Sequence, residues 1–419
     1  MPAVVDPRPA PAFAAFAARD FRFYLAARFL ATTSIQMVAV AVGFQVYTLT
    51  RRPLDLGYVG LAEFLPIAAL SLVAGQLADR VDRRAVLFVC DLLFGVCAAV
   101  LWVLARSPAP SVVPIFAVLV VLGAGRAFYG PSGSALLPSL VPREHLANAI
   151  AWQSALWQLA AIGGPSLGGV IYAIGAGPGP VYVVATIGFG VGGVLLAGIA
   201  PRPIVRGAHE APATIRLFDG LRYVLGHRVL LGTLTLDFFA VFLGGATALL
   251  PVYAAEVLHV GVRSLGLMRA APAIGAALTA GWLTARPLGR NAGRKMLIGV
   301  AVFGAATIVF GVSRSLPLTI GALIVLGAAD MVSAVVRATL VQAATPPAMR
   351  GRVSAVNLIF IGASNELGEF ESGTLASFIG AVPCVVVGGV GTLLVVLLAA
   401  WTFPQIRGVD RLEDVTPPT

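Results

Sequence analysis

The chain has 419 residues, of which 58% are apolar and 11% are charged. An ordinary soluble domain carries about a quarter of its residues as charges, and its core could not hide this much apolar surface. Together with a mean hydropathy of +0.91, this excludes a soluble enzyme, a disordered chain and a secreted disulfide scaffold, and indicates a polytopic membrane protein.

Twelve apolar runs are long enough to cross a bilayer, which takes about 20 residues each. They fall at 21–49, 56–77, 85–105, 112–136, 148–174, 180–200, 229–254, 264–285, 295–313, 317–342, 353–379 and 382–403. The proline-rich start at Met1 is not a signal peptide, so span 1 serves as its own insertion signal. The expected organisation is an N-terminal segment 1–20, a six-helix bundle 21–200, a linker 201–228, a second bundle 229–403 and a tail 404–419. The linker carries Pro201, Pro203, Arg206 and Glu210 and turns amphipathic from Ile215 to Val224.

Three cysteines, Cys90, Cys97 and Cys384, lie in apolar runs without metal-ligand spacing and read as small buried residues. Neither metal nor cofactor is implied. The single lysine, Lys295, sits in no phosphate-binding loop, so ATP is not the direct energy source. With the N-terminus inside, 20 of the 29 basic residues fall on inside segments and 5 on outside ones, which predicts both termini in the cytoplasm. The net charge of +10 then reflects topology and contact with anionic lipid rather than nucleic acid.

The two halves repeat. Gly75-Gln-Leu-Ala-Asp79-Arg80 after span 2 matches Gly281-Trp-Leu-Thr-Ala-Arg286 after span 8, at an offset of 206. Val141-Pro142 after span 4 matches Thr345-Pro346 after span 10, at an offset of 204. Parallel repeats of this kind suit alternating access around a midplane site.

The motif Gly75-x-Leu77-x-Asp79-Arg80-x-x-Arg83-Arg84, in a twelve-span chain with a long central loop, resembles that of the major facilitator superfamily. The likeness covers essentially the whole chain, and Asp82 departs from the family's usual glycine. Span 4 carries Leu122-x-x-x-Arg126-x-x-Tyr129-Gly130-x-x-Gly133, similar to a second family motif. Span 5 carries Gly164-Pro165-x-x-Gly168-Gly169, similar to the motif of proton-driven exporters. The stretches Phe21 to Phe29 and Gly362 to Gly373 resemble the branch that includes the enterobactin (siderophore) exporter and the macrolide efflux proteins.

The resemblance implies an all-α membrane protein of two pseudo-symmetric six-helix bundles, multi-pass in the bacterial inner membrane and monomeric. Its partners would be the lipid bilayer, protons and a small amphipathic substrate. A catecholate siderophore is the first expectation and a macrolide or other drug the second. A nutrient importer of the same fold and a non-transporting sensor are the rivals. Gly75, Asp79, Arg80, Arg83 and Arg84 would form a conformational latch, with Asp79 approaching the start of span 11 near Arg352 and Ser354. The alternative is a simple topology anchor.

Charges within spans are costly and therefore informative. By a rise of about 1.5 Å per residue, Arg28, Asp91, Arg126, Asp237 and Asp330 lie at one level near the cytoplasmic side. Arg28 and Asp237 occupy repeat-related spans, as do Arg126 and Asp330. The expectation is that these opposite charges pair across the halves to close the cytoplasmic side of the cavity in one state and separate in the other; the alternative is pairing within a half, such as Arg126 with Asp91. A second group, Glu63, Glu366, Glu369 and Glu371, lies nearer the outside. Such carboxylates can hold either a proton or a cationic substrate. Aromatic residues on these spans, among them Phe44, Tyr47, Tyr129, Trp152, Trp157, Phe238, Phe239 and Phe360, offer an apolar binding surface or simply pack.

Overall fold

The computed structural model describes residues 13–201, 213–286, 289–346 and 349–410. Within these helices the side chains of residues 71–72, 75–80 and 213–217 are not described.

The twelve spans are helical. In the first half they are Arg19–Thr50, Pro53–Arg80, Arg83–Ala105, Val113–Leu136, Leu146–Ile174 and Gly179–Ala197. In the second they are Arg228–Leu243, Val262–Ala285, Ala292–Val312, Leu316–Ala343, Arg350–Ile379 and Ala381–Thr402. Helices dominate because a lipid-facing backbone must satisfy its own hydrogen bonds. Span 7 breaks at Gly244 and Gly245 and continues through short turns to a π-type turn at Tyr253–Val257. The linker carries a further helix, Ala213–Gly226, docked on the second half. There Arg352 pairs with Asp219 at 3.0 Å and the Tyr223 hydroxyl donates to the Ala344 carbonyl at 2.7 Å.

Nine helices among the described residues are long and apolar enough to cross a membrane by composition alone. Spans 5, 8 and 11 fall short of that mark. Span 11 carries Glu366, Glu369 and Glu371, and span 8 carries Arg263 and Arg269. These three spans pack at the seam between the halves, span 5 on span 8 and span 2 on span 11. The seam gives Arg269, Glu366 and Glu369 a protein environment, which is what lets these spans hold charge.

With twelve crossings, both described ends of the chain lie on one face, here called the terminus-bearing face; the other is the distal face. Distally, the seam is tight. Gly373 of span 11 meets Gly57 of span 2, where an added methyl would lie 2.8 Å from the Gly57 Cα. Gly169 of span 5 meets Gly266 of span 8, where an added methyl would lie 3.0 Å from the Gly266 Cα. Such contacts need residues without side chains. The buried Tyr47 hydroxyl of span 1 donates to the Glu256 carboxylate beyond span 7. An apolar cluster joins Val40, Tyr47 and Leu56 of the first half to Leu250, Tyr253 and Phe310 of the second. Toward the terminus-bearing face, Trp157, Leu278 and Trp282 on spans 5 and 8 are exposed. The protein is thus closed distally.

Each half is pinned internally by a charge between its first and fourth spans. In the second half, Asp237 and Arg337 form an ion pair with side chains only 9% and 8% exposed. Arg337 is displaced by 204 residues from Gly133. In the first half, the empty space at Gly133 receives the Arg28 guanidinium, whose Cζ would lie 3.1 Å from a methyl there. Arg28 also sits over the Tyr129 ring at 4.3 Å, a cation–π contact. In this distally closed state Arg28 and Asp237 are each held within their own half, as expected of the state in which the cross-half pairs separate. The cysteines Cys90, Cys97 and Cys384 are buried and free.

Two outcomes follow. Asp237→Asn strands Arg337 in an apolar setting and should cost about 3–5 kcal/mol, read as a lower thermal midpoint in detergent. The double variant Asp237→Leu with Arg337→Met should recover most of that loss. Gly169→Leu cannot close against Gly266, so energy transfer between dyes at the exposed distal positions Ile174 and Phe378 should fall relative to the parent.

Candidate functional site

The charged centre lies at the seam. Arg126 of span 4 makes an ion pair with Glu63 of span 2, with side chains 35% and 17% exposed. The helices approach closely there because Gly123 offers no side chain to the backbone of Glu63; a methyl would lie 2.9 Å from its carbonyl carbon. Glu366 and Glu369 of span 11 are three residues apart and share a helix face. Both reach across the seam to Gly60 of span 2: an added methyl there would lie 3.0 Å from Glu369 Oε2 and 3.6 Å from Glu366 Oε2. Glu63 and Arg126 are within electrostatic range of this pair. So is Arg269 of span 8, whose guanidinium extends to within 3.8 Å of the methyl position at Gly43 of span 1.

Three carboxylates thus face two guanidiniums in a half-buried seam. With all five ionised the centre carries one negative charge in excess. A proton or a cationic group restores the balance, and uncompensated charge is expensive at this depth.

This centre merges the two levels expected from sequence. Arg126 pairs neither with Asp330 across the halves nor with Asp91 within its own; its long side chain reaches the carboxylate group instead. Asp91 is fully buried in the first half, beside Arg28 and the Tyr129 hydroxyl. Asp330 on span 10 has no ion-pair or hydrogen-bond partner among the described residues. Arg269 was not singled out by sequence reasoning, yet it stands 206 residues from Glu63, the offset of the loop motifs. That coincidence was the available signal. Glu371 stays apart, bonded to the Ser372 hydroxyl at 3.4 Å.

Of the latch residues, Gly75, Asp79 and Arg80 lie outside the described side chains. Arg83 donates to the Ala135 carbonyl at 3.0 Å, and Arg84 donates to the Ile199 carbonyl. These two contacts tie the loop to spans 4 and 6 of the first half. Arg352, expected near Asp79, pairs with the linker helix. Asp82, the departure from the family pattern, caps span 3 by accepting from the Arg84 amide at 2.9 Å; the aspartate serves as an N-cap.

The exporter-type motif in span 5 has two roles in packing. Gly164 and Gly168 press on Gln36 and Met37 of span 1, while Gly169 meets Gly266 across the seam. Pro165 lies inside the helix, where it removes one backbone hydrogen bond. Nearby, the Gln158 amide donates to the Ala273 carbonyl of span 8 at 2.6 Å. Among the aromatic residues, Trp152 packs on Phe13 and Phe16, and Phe44 on Tyr172. Phe238 gathers Phe239, Phe242 and Phe360 between spans 7 and 11.

Comparison with known proteins agrees with this architecture. The chain is 28% identical over 397 residues to the enterobactin exporter EntS of Citrobacter koseri, covering 92% of each chain. It is 27% identical over 407 residues to the enterobactin exporter EntS of Salmonella typhi, covering 94% of this chain and 95% of that one. Its fold matches a POT family transporter solved in complex with 5-aminolevulinic acid, at a TM-score of 0.72 and 13% identity, over 93% of this chain and 97% of that one. It also matches a bacterial homologue of the human lysosomal transporter Spinster, solved inward-facing and unoccupied, at a TM-score of 0.71 and 16% identity, over 93% and 98%. The family model described as Major Facilitator Superfamily matches residues 24–369. The chain belongs to the major facilitator superfamily and is a multi-pass membrane transporter.

Proposed function

We propose that this transporter is a proton-coupled exporter of a small amphipathic molecule, a catecholate siderophore before all others. The observation that carries the coupling is the unbalanced centre of Glu63, Arg126, Arg269, Glu366 and Glu369. Its surplus negative charge is relieved either by a proton or by cargo hydroxyls that donate hydrogen bonds to the carboxylates, as those of a catechol do, and it lies on the seam that must part during alternating access. A centre with room for one or the other is what an antiporter needs. The exporter relatives support the direction and the substrate class.

In this reading the terminus-bearing face is cytoplasmic, as the 20 basic residues on inside segments against 5 outside favour. The protein works as a monomer in the bacterial inner membrane. Cargo enters from the cytoplasm while the distal seam is shut. Protonation of the Glu366–Glu369 pair from outside then displaces it in the opposite state. The latch at Gly75, Asp79, Arg80, Arg83 and Arg84 holds that opposite state, and the cluster around Phe238 offers an apolar wall for an aromatic cargo.

The test is flux in proteoliposomes loaded at acid pH and diluted into neutral buffer containing a catecholate siderophore. Protons leaving down their gradient should drive siderophore inward, and collapsing the gradient should stop accumulation. Glu366→Gln combined with Glu369→Gln should reduce gradient-driven accumulation at least tenfold while siderophore exchange at equal pH persists. Accumulation of equal extent with and without the gradient contradicts the proposal.

A further inference from the structure

The two offsets that relate the loops also relate the helices inside the bilayer. Leu122-Gly123-Ala124-Gly125-Arg126 in span 4 matches Leu326-Gly327-Ala328-Ala329-Asp330 in span 10 at 204. Gly60, Glu63 and Pro66 in span 2 match Gly266, Arg269 and Pro272 in span 8 at 206. The Glu63–Arg126 ion pair therefore has an exact positional counterpart in Arg269 and Asp330, with both signs reversed.

The counterpart is not made, and the packing shows why. In the first half, Gly123 rests on the backbone of Glu63: its carbonyl oxygen, carbonyl carbon and Cα. In the second half, Gly327 rests on the same three atoms of Pro272, not of Arg269. Spans 2 and 4 run parallel, as do spans 8 and 10, so the two halves differ in register by three residues. At 1.5 Å per residue this is about 4.5 Å, close to one helical turn. The offset carries Arg269 away from Asp330 and toward Glu366 and Glu369, and it leaves Asp330 without a partner among the described residues.

We propose that span 8 slides by one turn against span 10, and that Arg269 thereby alternates between the Glu366–Glu369 pair of span 11 and Asp330 of span 10. The register seen between spans 2 and 4 is the geometry the second half adopts after the slide. Because span 8 runs from the distal to the terminus-bearing face, that movement carries Gly266 away from Gly169 and opens the distal seam on one side. It also removes a guanidinium from the carboxylate pair, so each position of span 8 presents a different charge balance to proton and cargo. A step of one turn is a natural unit, because packed helices re-engage their ridges only at such intervals. The slide requires the family's alternating movement and does not depend on the cargo or on proton coupling.

Spin labels at the lipid-exposed Leu267 of span 8 and the exposed Thr339 of span 10 read the slide along the helix axis. Three proteins are compared in nanodiscs: the labelled parent, the parent with Glu366→Gln and Glu369→Gln, and that variant with Asp330→Asn added. The double variant frees Arg269 and should show a component shorter by about 4.5 Å; Asp330→Asn should abolish it. The swap Arg269→Asp with Asp330→Arg should keep it. One unchanged distance in all four folded proteins overturns the proposal, as does a short component that survives Asp330→Asn. Neither result bears on proton-driven flux, which is read separately in liposomes.

Discussion

A charge that must sit inside a bilayer can do so only beside its opposite, and this requirement shapes the protein. Arg28, Arg126, Arg269 and Arg337 lie well inside the spans, away from their ends, and each has found an answer within the fold. Arg126 takes Glu63, Arg337 takes Asp237, Arg28 takes the Tyr129 ring and the space beside Asp91, and Arg269 faces the carboxylates of span 11. Two of these solutions stay inside a half and give it rigidity. The other two meet at the seam, where Glu366 and Glu369 exceed what the arginines neutralise. Halves pinned between their first and fourth spans, with one unsettled centre between them, are the physical ingredients of a molecule that rocks and exchanges ions.

Glycine decides which charges can meet. Gly133 leaves room for the guanidinium of Arg28, whereas the position 204 residues later holds Arg337 itself. Gly60 admits two carboxylates from the opposite half. Gly57 with Gly373 and Gly169 with Gly266 let the distal ends of the halves touch at the backbone. The span 5 motif thus combines an internal anchor, through Gly164 and Gly168 against span 1, with a contact that must separate, through Gly169. A helix fastened on one face and releasable on the other transmits movement of the seam into its own bundle.

Much of this was legible in the sequence. The spans emerge from run length because hydrocarbon thickness sets a minimum, and their observed ends fall within a few residues of those expected, except in span 7, whose regular helix stops at Leu243 before Gly244 and Gly245. The duplicated bundle emerges from the repeated loops, and the amphipathic stretch in the linker is a helix. Partner choice was not legible. Depth along a helix placed Arg126 beside Asp91 and Asp330, but a long side chain leans toward the start of its helix and Gly123 brings Glu63 within its reach. In this state Arg28 and Asp237 each have a partner inside their own half. Arg269 went unnoticed because its significance lies in being the repeat position of Glu63 with the sign reversed. The family's loop motif implies a latch in the opposite state; in this distally closed one Arg83 and Arg84 bond to carbonyls of spans 4 and 6.

The central claim is that cargo and proton compete for the surplus charge at the seam. The direct measurement is proton release from detergent-purified protein in weakly buffered solution as a catecholate siderophore is added. The account predicts release that saturates with binding and vanishes when Glu366 and Glu369 are both changed to glutamine. Saturable binding by the unaltered protein without any proton released would contradict it.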